Sequence, residues 1–237
     1  MNALRRSKSI PVTDPNAGLK ITEIFYSLQG EADAAGLPTV FIRLTGCPLR
    51  CTYCDTTYSF EGGQRQSLES IIETAKSYNT PYICVTGGEP LAQPNCIALL
   101  KRLCDLGFEV SLETSGALDV SKVDPRVSKV LDLKTPTSGE DHRNLISNFE
   151  YLTPKDQIKF VICNQGDYEW SKKQVLFYQL NKKVNTVWFS PAFAVEKGNA
   201  KLPQFARDLA QWLLDDQLPV RFQLQLHKLL WQDETGR

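Results

Sequence analysis

The chain has 237 residues, of which 42% are hydrophobic and 23% are charged, a balance typical of a globular enzyme rather than a disordered or membrane-spanning chain. The 27 Lys and Arg residues equal the 27 Asp and Glu residues in number, so no net positive charge favours direct contact with nucleic acid. Because no secretory signal and no apolar run of bilayer length is present, we expect a cytoplasmic protein without membrane contact.

The first 18 residues are polar, contain two prolines and show no period, which predicts a flexible N-terminal arm followed by a single domain over residues 19–237. From Ile21 onward, short apolar and β-branched runs recur between turn-forming residues. The predicted strands are ITEIFYS, TVFIRLTG, YICVTGG, FEVSLETSG, VSKVLDLKTP, QIKFVIC, TVWFSP and VRFQLQL.

Stretches of helical period lie between several of these strands. They are LESIIETAKSY, CIALLKRLCDLG, YEWSKKQVLFYQLN and LPQFARDLAQWLLDD. Alternating strands and helices predict parallel βαβ units. Since a complete eight-fold barrel typically needs about 250 residues and eight helices, the predicted fold is α/β, an incomplete TIM-like barrel of about six parallel strands with few helices.

Five loops that follow predicted strands carry chemically suggestive residues. They are the cysteine-rich stretch GCPLRCTYCDT, then TGGEP, ETSG, LKTP and finally SP at Ser190. The loops at the C-terminal ends of parallel strands gather at one end of such a sheet. We therefore expect these five loops to face a common mouth.

Three cysteines, Cys47, Cys51 and Cys54, form a C-x3-C-x2-C motif. Structural zinc usually takes four ligands, and both histidines lie far from the motif, although Cys84 is a possible fourth thiolate. An iron–sulfur cluster is the alternative, because three thiolates on a four-iron cluster leave one iron open to a reactant. The other four cysteines are expected to be reduced and to pack as small hydrophobes: Cys84, Cys96, Cys104 and Cys163.

The cysteine motif, with Tyr53 before its last cysteine, resembles the signature of the radical S-adenosylmethionine enzymes. The TGGEP stretch at Thr86–Pro90 resembles the second motif of that superfamily, although alone it would be equally typical of a strand-ending turn. The resemblance implies a radical SAM core in which the open iron binds S-adenosylmethionine. One electron then cleaves this molecule to a radical that abstracts a hydrogen atom from the substrate.

The segment from Tyr26 to Thr56 is similar to the N-terminal part of the 7-carboxy-7-deazaguanine synthase family. The similarity extends from about residue 20 to QLHK near the C-terminus. It implies a lyase-type reaction of queuosine and 7-deazapurine biosynthesis, in which 6-carboxy-5,6,7,8-tetrahydropterin undergoes ring contraction to 7-carboxy-7-deazaguanine and ammonia is released.

The same resemblance implies a set of substrate-binding residues, namely Leu28, Gln29, Gly30, Glu31, Arg43, Thr86 and His227. The planar fork of Arg43 suits a carboxylate, and the amide of Gln29 suits the donor and acceptor edge of a pterin. Two alternatives remain from the residues alone. Arg43 can extend from an outward face of its strand, and Glu31 can be an ordinary solvated carboxylate.

For the cofactors, the resemblance implies a 4Fe-4S cluster on the three motif cysteines and Mg2+ on Thr56, an ion that tolerates few protein ligands. Without the resemblance, the DTT stretch is typical of a helix N-cap or turn. The implied contacts to S-adenosylmethionine are Tyr53, Cys54, Asp55, Gly88, Glu89, Ser115, Lys134, Thr135, Pro136 and Ser190. The chain departs from the expected pattern at Ala32, where a glycine is expected, and at LKTP, where Ser-Pro-Lys is expected.

The implied partners are the pterin substrate and an electron donor such as flavodoxin, and the implied assembly is a homodimer. An alternative function is that of an activase that installs a glycyl radical on a larger enzyme. Such a protein needs an open groove for a loop of its partner. It does not need Gln29, Arg43 and Thr56 to form a binding site for a small molecule. A third hypothesis is a zinc-stabilised binding module without catalysis.

Overall fold

The computed structural model of the protein describes residues 18–192, 204–232 and 234–236. Apart from Gly18, the predicted N-terminal arm lies outside the described residues. The loop that continues from Ser190 is described as far as Ala192, and its remainder is likewise outside them.

Nine strands of the described residues form one sheet, in the order β3-β1-β2-β4-β5-β6-β7-β8-β9. Their bounds are β1 Leu19–Leu28, β2 Pro38–Leu44, β3 Gln64–Gln66, β4 Tyr82–Gly87, β5 Glu109–Thr114, β6 Ser128–Leu133, β7 Gln157–Ile162, β8 Thr186–Pro191 and β9 Arg221–Phe222. From β2 to β9 each neighbouring pair is parallel, whereas β1 is antiparallel to both β2 and β3. The predicted partial barrel of about six parallel strands is confirmed.

All eight predicted strands are present, but the last one was predicted too long. VRFQLQL suggested a full strand because polar and apolar residues alternate, whereas β9 contains only Arg221 and Phe222. The chain leaves the sheet at Gln223, whose side chain hydrogen-bonds to the backbone of Ala32. The short edge strand β3 was not predicted.

Six α-helices are present in the described residues, and the four that were predicted are among them. Their bounds are α1 Leu68–Lys76, α2 Cys96–Asp105, α3 Gln165–Tyr178, α4 Leu180–Lys183, α5 Gln204–Asp215 and α6 Leu226–Trp231. Side-chain caps begin two of them, since Ser67 accepts a hydrogen bond from the backbone N of Ser70 and Asn164 accepts one from Asp167. No described helix is both long and apolar enough to cross a lipid bilayer.

The core lies between the sheet and the helices. Buried side chains of α1 and α2, such as Ile71 and Leu99, join those of the central strands in one apolar cluster. Strands β2, β4 and β8 are buried over nearly their whole length, as expected where both faces of a parallel sheet are covered.

The inner face of the sheet carries one polar side chain on each of five neighbouring strands. We call this set the polar belt: Arg43 on β2, Thr86 on β4, Glu113 on β5, Asp132 on β6 and Lys159 on β7. The strand register places Arg43 opposite Thr86 and Asp132 opposite Lys159. The sheet therefore presents a row of functional groups on its inner face.

The loop after β1, residues 29–37, connects the first part of the sheet to its last three strands. The backbone N of Asp33 donates to Gln157 on β7 at 2.9 Å. The Asp33 carboxylate accepts from Thr186 on β8 and pairs with Arg221 on β9, each at 3.1 Å. Because the two ends of the open sheet are joined through this loop, the lumen is closed on that side.

Candidate active site

A pocket of about 650 Å³ occupies the lumen and reaches the loops at the C-terminal ends of the parallel strands. All five members of the polar belt line it, together with the three motif cysteines. All five predicted loops contribute lining residues. The fifth, after β8, contributes Ala192 in place of the predicted Ser190.

Glu113 lies at the centre of a hydrogen-bond network in this pocket. One of its carboxylate oxygens accepts from the side-chain amide of Gln29 at 3.3 Å, and the other accepts from the Thr86 hydroxyl at 3.2 Å. Two predicted substrate-binding residues are thus fixed by a third residue that the sequence analysis did not single out.

Arg43 points into the pocket. Its Nε lies 2.7 Å from Glu23, and its side chain is 16% exposed. Its guanidinium also lies over the rings of Phe25 and Tyr58, at 5.6 and 5.9 Å from their centroids. These contacts hold the guanidinium of Arg43 beside the lumen. The alternative of an outward-facing arginine is therefore wrong.

Glu31 is buried rather than solvated, and it forms an ion pair with Lys159 at 2.5 Å. Its second carboxylate oxygen accepts from the side-chain amide of Gln225 at 2.7 Å. Burial by itself raises the pKa of Glu31, but Lys159 and His227 outweigh burial and lower this pKa to about 2. The pocket therefore contains an ionised carboxylate near neutral pH.

A second ion pair joins Asp132 and Lys134, whose charged atoms are 2.9 Å apart. Oδ1 of Asp132 is buried and has no hydrogen-bond partner. Unpaired buried acceptors are uncommon in folded proteins. Since Asp132 lines the pocket, this oxygen is suited to accept a hydrogen bond from a bound polar molecule.

The cysteine loop packs closely against the TGGEP loop. The backbone N of Glu89 donates to the carbonyl of Gly46 at 2.8 Å. A Cβ atom on Gly88 would lie 2.4 Å from that same carbonyl oxygen and 2.8 Å from Cβ of Cys47. Only glycine allows this approach, which places the second motif directly beside the first cysteine.

The three motif cysteines are free thiols, each partly exposed in the pocket. Among the described residues, which include all seven cysteines, no three or more His, Cys, Asp or Glu side chains are arranged to hold one metal ion. A tetrahedral zinc site brings its sulfur atoms within about 4 Å of one another, whereas a cluster binds each thiolate to a different iron. Cys84, the fourth thiolate of the zinc alternative, is fully buried in β4 and does not line the pocket with the three motif cysteines.

The C-terminal segment, residues 223–228, forms another wall of the pocket. A Cβ atom on Gly30 would lie 2.3 Å from Nδ1 of His227, so this glycine packs directly against the imidazole. Lys228 pairs with Asp55 at 3.1 Å, and Asp55 accepts a hydrogen bond from the Thr56 hydroxyl at 2.8 Å. The segment thus connects the loop after β1 to the end of the cysteine motif.

Most of the predicted site residues line the pocket. These are Leu28, Gln29, Gly30, Glu31, Arg43, Cys47, Cys51, Tyr53, Cys54, Asp55, Thr56, Thr86, Gly88, Ser115, Lys134 and His227. Four predicted contacts to S-adenosylmethionine do not line it: Glu89, Thr135 and Ser190 are buried, and Pro136 is exposed outside the pocket.

Glu89, one of these four residues, connects two loops instead of lining the pocket. Its side chain is completely buried and accepts hydrogen bonds from the backbone N of Leu91 and Ser115 and from the Thr114 hydroxyl, at 2.7–3.0 Å. These bonds tie the TGGEP loop to the end of β5.

Three belt residues, Glu113, Asp132 and Lys159, were not in the predicted site. Their signal in the sequence is a charged residue next to apolar residues within a predicted strand, in SLETSG, LDLKTP and IKFVIC. A buried charge in a strand requires a partner or a ligand. The same pattern occurs at Lys129, which does not line the pocket, so it does not by itself identify these three residues as part of the site.

The residues present fit the cofactors of the predicted class. The donor set is three soft thiols on one loop, which suits iron rather than a hard cation. The unpaired oxygen of Asp132 provides a polar position in the same pocket, and the close contact at Gly88 holds the TGGEP loop beside the first of those thiols. The Thr56 hydroxyl offers one oxygen ligand at the same pocket, as a magnesium ion completed by water and substrate requires.

The fold and the thiol-lined pocket define a radical S-adenosylmethionine enzyme, and residues 41–134 match the family model described as "Radical SAM superfamily". Similarity to curated relatives identifies one family within this superfamily. The chain is 42% identical to the 7-carboxy-7-deazaguanine synthase of Koribacter versatilis, over 92% of this chain and 99% of the relative, and 41% identical to that of Chlorobaculum tepidum, over 92% and 97%. The chain belongs to the 7-carboxy-7-deazaguanine synthase family.

The fold agrees with this assignment. The crystal structure of QueE from Escherichia coli superposes with a TM-score of 0.71 and covers 89% of this chain and 95% of that one, at 22% sequence identity. The cofactors of the class are a 4Fe-4S cluster and S-adenosylmethionine, with Mg2+ in this family. These comparisons do not favour the glycyl-radical activase.

Proposed function

We propose that the protein converts 6-carboxy-5,6,7,8-tetrahydropterin to 7-carboxy-7-deazaguanine with release of ammonia, a lyase reaction of queuosine and 7-deazapurine biosynthesis. One observation carries this proposal. The three motif thiols and the predicted substrate residues Gln29, Glu31 and Arg43 line the same pocket, although they come from different strands and loops.

The cysteine loop holds the cluster in this proposal. Cys47, Cys51 and Cys54 ligate three irons, and Thr56 supplies the one protein ligand of Mg2+. Gly88, Ser115 and Lys134, which line the same pocket as the thiols, would hold S-adenosylmethionine. When bound, the cluster and S-adenosylmethionine supply the radical that activates the substrate.

The other pocket residues bind and orient the pterin. The fork of Arg43, held at Nε by Glu23, pairs with the substrate carboxylate. Gln29, fixed by Glu113, meets the donor and acceptor edge of the pterin together with Thr86 and the loop from Leu28 to Glu31. His227 closes the far wall of the pocket.

An aromatic wall keeps water away from the reacting atoms. The rings of Phe25 and Phe41 stack at 4.9 Å with an interplanar angle of 8°, and both residues line the pocket. Radical intermediates are protected when a closed site excludes water and competing hydrogen donors. In this role the protein positions its substrate rather than donating or accepting electrons.

We further propose a cytoplasmic homodimer that receives its electron from a small redox protein such as flavodoxin. The three motif thiolates that hold the cluster in this proposal must stay reduced, which fits a reducing compartment. Light scattering of the anaerobically purified protein tests the dimer, and turnover with reduced flavodoxin in place of a chemical reductant tests the donor.

The decisive experiment is anaerobic reconstitution of the cluster, followed by incubation with S-adenosylmethionine, Mg2+, reductant and 6-carboxy-5,6,7,8-tetrahydropterin. We expect 7-carboxy-7-deazaguanine and an equal amount of ammonia. Cleavage of S-adenosylmethionine only in the presence of a glycyl-radical enzyme would instead support the activase. A colourless protein that contains zinc would contradict both functions.

A further inference from the structure

The buried ion pair between Lys159 and Glu31 has no role yet in the proposed function. Nζ of Lys159 lies 2.5 Å from Oε2 of Glu31, and the two side chains are only 10% and 9% exposed. An ion pair buried to this degree contributes little net stability, because both charges lose their hydration. Since both residues line the pocket, a role in the site explains the pair better than stability does.

The contacts of Glu31 fix its carboxylate from two sides of the pocket. Lys159 on β7 holds Oε2, and the side-chain amide of Gln225 in the C-terminal segment donates to Oε1 at 2.7 Å. The backbone N of Glu31 donates to the side chain of Gln29 at 3.3 Å. The carboxylate therefore has one orientation, which is set by elements far apart in the sequence.

The charges around the pair keep both partners ionised. His227 faces Glu31, while Asp132, at 3.8 Å, and Glu113 face Lys159. Burial lowers the pKa of Lys159, but Glu31, Asp132 and Glu113 outweigh burial and raise this pKa well above its usual range. Without the Lys159 ammonium, burial would drive the pKa of Glu31 upward, opposed by the hydrogen bond from Gln225 and by the neighbouring His227.

We propose that Lys159 is the positioning residue for Glu31, which it holds ionised and correctly oriented to accept hydrogen bonds from N–H groups of the substrate. This inference rests on the proposed function, since the N–H groups are those of the pterin. A carboxylate accepts such bonds at both oxygens, whereas a protonated carboxyl group presents a donor at one of them. Charge-assisted hydrogen bonds are also roughly twice as strong as neutral ones.

The chain provides a matched control in a second buried ion pair. Lys129 at the start of β6 lies 2.9 Å from Asp156, and these side chains are 4% and 0% exposed. Neither residue lines the pocket. Lys129→Met therefore removes a buried ammonium from the same sheet without touching the site.

The test compares substrate binding by the holoenzymes of the wild type, Lys159→Met, Lys159→Arg and Lys129→Met. The cluster is kept oxidised so that no turnover occurs, and S-adenosylmethionine and Mg2+ are present. The Kd for 6-carboxy-5,6,7,8-tetrahydropterin is measured by anaerobic equilibrium dialysis at about pH 6 and about pH 8.

We expect Lys159→Met to bind the substrate at least about tenfold more weakly than the wild type at the lower pH. Part of this loss should be recovered at the higher pH, where Glu31 ionises again. Lys159→Arg keeps the positive charge and should bind within about threefold of the wild type. Lys129→Met should lose thermal stability but keep the wild-type Kd at both pH values.

Wild-type affinity and pH dependence in Lys159→Met would overturn the positioning role, and so would an equal change in Lys129→Met. If Lys159→Met does not fold, Glu31→Gln takes its place, and wild-type affinity in that variant overturns the inference. Failure of the wild-type holoenzyme to form product counts against the proposed function instead. The two outcomes are distinct because binding is measured without turnover.

Discussion

Ala32 is the residue at which this chain departs from the glycine expected after Glu31. Its φ of +62° lies in the left-handed region, which glycine enters freely and other L-residues enter at a cost of about 1–2 kcal/mol. The backbone N of Ala32 donates to Gln223 at 2.8 Å. The loop therefore keeps the conformation that a glycine would favour, despite the methyl group.

The first prediction is that Ala32→Gly stabilises the protein. Relief of the left-handed strain outweighs the extra unfolded-state entropy of glycine, which is about 0.5–1 kcal/mol, so the net gain should be about 0.5–1 kcal/mol. Urea denaturation measures the free energy of unfolding. Ala35→Gly, in the same loop but without a positive φ, is the control and should be neutral or destabilising.

The second prediction concerns Gly88, whose added Cβ would lie 2.4 Å from the carbonyl oxygen of Gly46. Gly88→Ala must push the TGGEP loop away from the cysteine loop, so we expect most of the iron and the brown absorbance of the reconstituted protein to be lost. Iron analysis per chain measures the effect. Gly166→Ala, in the first turn of α3 and outside the pocket, should retain full iron content.

At the scale of elements, the C-terminal segment after β9 is the least regular wall of the site. Gln223 holds the backbone of Ala32 through both its amide oxygen and its amide nitrogen, and the backbone N of Leu226 donates to the carbonyl of Gly30 at 3.0 Å. These bonds position His227 against the loop after β1.

The third prediction is that Gln223→Ala costs about 1–3 kcal/mol of unfolding free energy, because the buried N of Ala32 loses its acceptor. The KM for the pterin should rise severalfold while S-adenosylmethionine binding is unchanged. Gln211→Ala on the exposed face of α5, where the side chain bonds only to Asp215, should alter neither quantity. An unchanged KM for the pterin in Gln223→Ala would show that the C-terminal segment does not contribute to substrate binding.

The strands illustrate how much of the fold the sequence could reveal. The predicted strands and helices are present because apolar periodicity and turn residues are local signals. The antiparallel direction of β1 is not local, since ITEIFYS would look the same in either direction. The edge strand β3, with the residues QRQ, carries no apolar signal at all.

The site residues also divide into those that short sequence segments indicate and those that depend on distant contacts. The cysteine motif and TGGEP stretch were visible as spacings within short segments. Lys159 was not, because its significance depends on Glu31, which is 128 positions away. The four predicted residues that do not line the pocket, including Glu89, belong to loops that contribute other residues to it. Which side chains of a loop face the lumen depends on packing that short motifs do not specify.

At the scale of the whole molecule, the interior ion pairs make stability depend on pH. Glu31 has an ordinary pKa of 4.5 when unfolded and about 2 when folded. A carboxyl group whose pKa is lowered by folding stabilises the folded state above its unfolded pKa. That contribution is lost as the pH falls through the folded value.

The fourth prediction is therefore a loss of about 3 kcal/mol of unfolding free energy from Glu31 alone as the pH falls from above 4.5 to below about 2. Urea denaturation of the cluster-free protein across this range measures it. Glu31→Gln should be less stable near neutral pH and should show a shallower decline on acidification. If the unfolding free energies of the wild type and Glu31→Gln fall in parallel as the pH falls, other groups cause the acid sensitivity.

The pocket joins pieces of chain from opposite ends of the sequence, since Ala32 and Gln223 are 191 positions apart and Glu31 and Gln225 are 194 apart. Contacts between such distant positions slow folding, because a large loop must close before they form. The cysteine motif and its neighbouring strands are synthesised more than a hundred residues earlier than the segment that encloses them. The cysteine motif is therefore synthesised first, and the pocket is completed last by the C-terminal segment. A ribosome-bound chain exposes its thiols before it has a closed site that could contain a radical.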